Sequence, residues 1–340
     1  MAEQKVSKVT VVGSGSWGMG ICGLLAHHAK SVVVWSHEEE VATSINACHK
    51  NPLQLKDYTL PDNVYATNSY EEALRDTEAV VVVVPSAFLR ATCKGFAPYV
   101  DEYVPILVLT KGVEQKTSCL MADVVAQEVG KPSRIAVLSG PNHAEEVSQD
   151  KISCAVVAAE SQEIAEFFQS LVMTHTFRVY VTDDVVGVEV CAAAKNVIAV
   201  AAGIAYALGA GDNTLAALMT RGLAEVSRIA VALGADPLTC MGLAGMGDLI
   251  VTCTSRHSRN RTFGEAFVAG ESLADYQRRT GMVVEGAEAA KSILQLAEKK
   301  GIQVPITRVV HDILYRDMDL HEAIDALMGR YAYDEFYDVR

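Results

Sequence analysis

Gly13-Ser14-Gly15-Ser16-Trp17-Gly18 stands directly behind the β-branched run Val9–Val12 and ahead of a helical pattern over Gly18–Ala29. Glycines at this spacing constrain the chain strongly: the first permits a tight strand-to-helix turn, the second lets a pyrophosphate approach the backbone, and the third lets helix pack closely on strand. The pattern alone is common, but here it heads a regular alternation. The runs Val32–Trp35, Val80–Val84, Ile106–Leu109 and Ile135–Leu138 follow, with helical patterns such as Ser86–Tyr99 and Ser118–Val129 between them. Strands that are apolar on both faces belong in a parallel sheet covered by helices on either side. The expected fold is therefore α/β, opening with a doubly wound Rossmann-type sheet. The runs Cys154–Ala158 and Arg178–Val181, which flank the helical Ser161–Val172, extend the same sheet.

Beyond Asp183-Asp184 the strand signals stop. Helical spacing takes over in Val186–Leu208, Asn213–Leu233, Pro237–Gly242, Asn260–Ala269, Glu285–Lys300, Pro305–Tyr315 and His321–Leu327. The expected organisation is a dinucleotide-binding domain over residues 1–184 and an all-helical, substrate-binding domain over 185–340, without a flexible linker. A ligand cleft is expected at such a junction.

The 340 residues carry a formal net charge of -13, which argues against nucleic acid or an anionic membrane as a partner and requires any anionic substrate to find a local basic pocket. Eight cysteines are scattered without a C-x-x-C pair or a histidine at ligand spacing, so they read as reduced core residues of a cytoplasmic protein, with no metal. No secretory signal is expected at the N-terminus.

Val188–Leu208 is apolar and alanine-rich except for Glu189, Lys195 and Asn196. One turn from Lys195 lie Cys191, Ala192, Ile198 and Ala199, so its own helix offers it no carboxylate. Burial there lowers an ammonium pKa toward neutrality, where it can exchange a proton; the plainer reading is a lysine stem packed on the core with its head in water. The interrupted run does not read as a membrane span.

Other candidates sit at strand ends and in loops. The second strand ends in Ser36-His37-Glu38, where a ribose hydroxyl or a 2′-phosphate would be read, and this tip leaves NAD and NADP both open. Ile106–Leu109 runs into Thr110-Lys111-Gly112, and Ile135–Leu138 into Ser139-Gly140-Pro141-Asn142-His143-Ala144. In the helical half, Gly245-Met246-Gly247-Asp248-Leu249 reads as a loop placing an acid among glycines. The segment from Thr254 to Thr262 gathers arginines, hydroxyls and an amide ahead of a helix, a combination suited to a phosphate dianion or to a solvated basic loop.

Together these motifs resemble the NAD(P)-dependent glycerol-3-phosphate dehydrogenase family. The resemblance rests on GSGSWG at 13–18, TKG at 110–112, SGPNHA at 139–144, AAAKNVIAVAAG at 192–203, TRGLAE at 220–225, GLAGMGDLIVTCTS at 242–255, SRNR at 258–261 and VVEG at 283–286. It implies reduction of dihydroxyacetone phosphate to sn-glycerol 3-phosphate with NAD or NADP as cofactor, feeding glycerophospholipid synthesis. Lys195 is then the proton-transfer residue. Lys111 contacts substrate and nicotinamide, Gly140 and Asn142 line the reacting part of the substrate, Asp248 holds substrate or orients Lys195, and Ser258, Arg259 and Asn260 bind its phosphate. For the cofactor the resemblance implies Gly13, Gly15, Ser16, Trp17, Gly18, His37, Lys111, Ala144, Arg259, Val283 and Glu285. Where Asn142 stands, the family's bacterial form usually has Ser or Thr and its eukaryotic form Asn. A homodimer is possible and membrane insertion is not expected. A related two-domain dehydrogenase of a 3-hydroxy acid or 6-phosphogluconate, or a nucleotide sensor without turnover, are the competing readings.

Overall fold

The computed structural model describes residues 6–332, 334 and 335. These described residues pack as two compact units: those within 1–110 and 121–185, and those within 111–120 and 186–340.

The first unit is built on one sheet. Its strands are β1 (Val6–Val12), β2 (Ala29–Trp35), β3 (Val64–Thr67), β4 (Ala79–Val82), β5 (Ile106–Val108), β6 (Ile135–Ser139), β7 (Ser153–Ala159) and β8 (Phe177–Thr182), in the spatial order β3-β2-β1-β4-β5-β6-β7-β8. All pairs are parallel except β6 with β7, which run antiparallel, so the doubly wound sheet expected from sequence is extended by a reversed pair at one edge. The order reverses between β1 and β4, the switch point at which open α/β sheets bind ligands. Val9, Val11, Val32, Val34, Val80, Val81, Ile106 and Leu107 are fully buried, as strands covered on both faces must be. Of the cysteines, Cys48 is exposed and Cys119 and Cys154 are half-buried, which corrects their reading as core residues; none of the eight is in a disulfide.

The described part of the second unit is helical apart from the isolated bridge Val113–Leu120. Its central helix is Val185–Ala207, whose most apolar window is 83% buried inside the fold, as befits a core helix. Around it stand the helices Asp212–Ala232, Arg259–Val268, Glu285–Lys300, Pro305–Tyr315 and Leu320–Met328. Three elements of this unit were not expected. Leu243–Gly247 forms a π-type turn and Asp248–Thr254 a short helix where the glycines suggested a loop, and Leu273–Thr280 is also helical.

Candidate active site

In the first unit the glycine turn has the geometry its spacing requires. Gly13 adopts φ +124°, and a β-carbon there would lie 2.4 Å from the Val83 carbonyl oxygen; one on Gly18 would lie 2.2 Å from the Gly13 oxygen. Gly15 caps the helix Ser16–Leu25 with no side chain on the free N–H groups, and nothing lies within 4 Å of where its β-carbon would be. A helix N-terminus left bare in this way accepts a pyrophosphate. The turn is pinned from outside by Asn51, which donates from Nδ2 to the Ser14 carbonyl (2.7 Å), and by the Ser16 hydroxyl, which donates to Gln54 (2.8 Å). Sequence reading did not find Asn51 or Gln54, because nothing in their local spacing marks them.

Several buried polar nitrogens of this unit are left over, two of them at the glycine turn and beyond β6. Trp17 Nε1, beside the turn, and Asn142 Nδ2, beyond β6, have no protein partner, and Asn142 is only 8% exposed. Buried donors are almost always satisfied, so these two call for a ligand. Gly140 takes φ +149° just after β6, Ala144 opens the helix Ala144–Val147, and His37 is exposed with its ring 6.2 Å from that of Trp35. The residues present thus fit a dinucleotide.

In the second unit three side chains from separate segments meet. Lys195 is 5% exposed and Asp248 2%. Lys195 forms an ion pair with Asp248 Oδ1, while Lys111 donates to Asp248 Oδ2 at 2.8 Å. Lys195 also donates to Thr252 Oγ1 at 2.9 Å, whose own proton goes to the Asp248 carbonyl at 2.5 Å. The amine that has no partner within its own helix is therefore paired through the tertiary structure. Thr252, one turn beyond Asp248, was also missed.

Burial lowers the Lys195 pKa, and the neighbouring Lys111 charge lowers it further; Asp248 pulls the other way, leaving it at about 8. For Asp248 burial acts upward, but the two ammonium groups outweigh it and hold the carboxyl at about 2. The cluster thus pairs a permanent carboxylate with a lysine poised to exchange a proton.

An amide relay lies alongside. Asn260 Nδ2 donates to Asn196 Oδ1 (2.9 Å), Asn260 Oδ1 accepts from the Gly286 N–H (2.8 Å), and Asn196 Nδ2 donates weakly to Glu285 (3.4 Å). The close approach depends on Gly286, since a β-carbon there would stand 2.4 Å from the Asn196 carbonyl oxygen. Asn260 is therefore committed on both sides of its amide. Ser258 caps the helix Arg259–Val268 by accepting from the Arg261 N–H, and Arg259 is exposed at its first position. Arg261 is structural: it donates to the Thr254 carbonyl (2.5 Å), pairs with Glu265 (2.9 Å) and lies over the Tyr206 ring. Val283 is half-buried just ahead of Glu285, which opens its helix.

A bare helix terminus at the switch point of a doubly wound sheet, with a lysine of near-neutral pKa held in a helical unit, defines an NAD(P)-linked oxidoreductase of the two-domain type. The family models for the NAD-dependent glycerol-3-phosphate dehydrogenase N-terminus and C-terminus match residues 8–165 and 184–325. The chain belongs to that family. It is 42% identical to glycerol-3-phosphate dehydrogenase [NAD(P)+] of Clostridium perfringens over 96% of this chain and 98% of that one, and 43% identical to the Bacillus anthracis enzyme of the same name over 96% of each. The crystal structure of glycerol-3-phosphate dehydrogenase from Coxiella burnetii superimposes with a TM-score of 0.91 at 34% identity, covering 96% of this chain and 99% of that one.

Proposed function

We propose that the protein reduces dihydroxyacetone phosphate to sn-glycerol 3-phosphate with NADH or NADPH, reversibly, and so supplies glycerophospholipid synthesis. The single observation that carries the chemistry is the buried Lys195–Asp248 pair, joined by the half-buried Lys111, with the Lys195 pKa near 8. The cofactor supplies the hydride when bound. Lys195 protonates the carbonyl oxygen in ketone reduction and removes the hydroxyl proton in the reverse direction. Asp248, ionised throughout the working range, orients Lys195 and offsets the lysine charges. Lys111 stabilises negative charge developing on the substrate oxygen, with the Asn196 amide in support; preorganised donors shielded from water are effective in that role.

Arg259, the Ser258 hydroxyl and the remaining Asn260 N–H take the substrate phosphate, whose binding fixes the orientation of the reacting end. Gly13, Gly15, Ser16, Trp17, Gly18, His37 and Ala144 hold the dinucleotide, with Lys111, Arg259, Val283 and Glu285 assigned to it by the family's motifs. Asn142 supplies its free N–H to the bound ligands, beside Gly140. Burial of the apolar helix Val185–Ala207 inside the fold supports a cytoplasmic, non-inserted protein.

A second copy of the chain is the proposed occupant of an apolar groove of about 620 Å³ between the helices Val185–Ala207, Asp212–Ala232, Pro305–Tyr315 and Leu320–Met328. Leu208, Ile324, Met328 and Tyr331 line it and are 44%, 47%, 80% and 79% exposed, a cluster of the kind that marks interfaces. Sedimentation equilibrium tests it, a dimer being expected and a monomer at all concentrations excluding it. The reaction is tested by following NADH and NADPH oxidation separately with dihydroxyacetone phosphate. Turnover with at least one of them is expected; tight cofactor binding with no turnover, or turnover only with another ketone, contradicts the assignment.

A further inference from the structure

Lys111 follows β5 of the first unit in the chain, yet the segment Lys111–Leu120 packs with the second unit. That is unexpected for a short strand-end loop, and the structure shows what holds it. The segment folds on itself through the Val113–Leu120 bridge, the Glu114 N–H to the Cys119 carbonyl (2.9 Å) and the Thr117 hydroxyl to Glu114 (2.6 Å). Its tip then meets the helix Glu285–Lys300. Gln295 takes both backbone polar groups of one residue: its Oε1 accepts from the Lys116 N–H at 3.2 Å and its Nε2 donates to the Lys116 carbonyl at 3.1 Å. One residue along, Gln115 Nε2 donates to Glu288 at 2.6 Å.

Lys116 itself adopts φ +71°, a left-handed conformation that a non-glycine residue keeps only where its surroundings impose it. The side chain that takes both polar groups of that residue supplies the constraint. The same helix brings Gly286 onto Asn196 and Asn260 at its first turn, so one rigid element refers both Lys111 and the amide relay to Lys195.

We propose that Gln295 is a positioning residue for Lys111: by clamping the Lys116 backbone it docks the Lys111–Leu120 segment on the helix Glu285–Lys300 and so keeps the Lys111 ammonium on Asp248. The proposal rests on the reading of Lys195 as the proton-transfer residue, and its consequence is electrostatic. The charged and titratable groups around Lys195 are Asp248, Lys111 and Cys253, the thiol being pushed up to about 12 by burial and hence neutral, with Arg261 interacting with that thiol. Of these, Lys111 lowers the Lys195 pKa, so loosening Lys111 leaves Asp248 to Lys195 alone and lets that pKa rise.

The test is the pH profile of kcat for ketone reduction in the full-length chain carrying Gln295→Met, which keeps length and packing but cannot hydrogen-bond both ways. Lys111→Met serves as reference. The descending limb moves up by on the order of one pH unit in Lys111→Met and by roughly half of that in Gln295→Met, with a several-fold lower kcat. A merely structural Gln295 lowers the melting temperature and leaves the limb in place. Gln115→Ala, on the exposed tip, gives a smaller shift in the same direction and replaces Gln295→Met if that variant fails to fold. A limb that stays at the wild-type position in the clamp variants while Lys111→Met moves it overturns the proposal, and so does a limb that Lys111→Met itself leaves unmoved. Failure of the proton-transfer reading is distinguished from both, because a Lys195 variant then keeps its turnover.

Discussion

Asn260 Nδ2 donates to Asn196 Oδ1 at 2.9 Å, and this bond turns the donor end of the Asn196 amide toward Glu285. Asn260→Ala removes it together with the acceptor of the Gly286 N–H. A buried donor left unpaired costs about 1–3 kcal/mol, so a lower melting temperature is expected, with a raised KM for dihydroxyacetone phosphate and a reduced kcat. Steady-state kinetics beside calorimetry check it; unchanged kinetics in a destabilised protein would make the relay structural only.

The pH dependence follows from Lys195. With Lys195 as the proposed proton donor, the rate of ketone reduction is expected to decline as pH rises through about 8, and alcohol oxidation, which would need the free amine, to gain over the same range. Thr252→Val removes the oxygen that accepts from the Lys195 ammonium, which disfavours the charged form. The descending limb of reduction then shifts to lower pH, by about 0.5–1 unit. A shift in the opposite direction would show that the hydroxyl does not support the ammonium.

The two nearby arginines separate by their surroundings. Arg259 is exposed and assigned to the substrate phosphate, whereas Arg261 is tied to Thr254, Glu265 and Tyr206. Arg259→Ala is expected to raise the KM for dihydroxyacetone phosphate at least tenfold, the loss of a charge-assisted contact worth about 1.5–3 kcal/mol, with little change in melting temperature. Arg261→Leu is expected to do the reverse. Kinetics and thermal unfolding of both variants decide, and equal effects on KM would cancel the distinction.

The continuous apolar strands and the helical half were legible because each has a strong local signature. The glycine turn was legible for the same reason, and its backbone geometry follows from glycine alone. β3 escaped because Val64–Thr67 is short and its burial alternates, unlike the covered central strands. The helix Asp248–Thr254 escaped because glycines precede it and β-branched residues fill it. Lys195 was legible as an anomaly in an apolar helix, but its partner Asp248 was not legible from helical spacing, since no i±4 rule reaches across the fold. Thr252, Asn51 and the Gln295 clamp act through tertiary contacts and leave no periodic trace.

Lys195→Ala tests the central claim most directly, by measuring NADH binding and the rate of ketone reduction on the same preparation. Cofactor affinity within about twofold of wild type and kcat lower by on the order of 10²–10⁴-fold are expected for loss of a positioned proton donor. A kcat within about threefold of wild type would contradict the assignment of proton transfer to this residue.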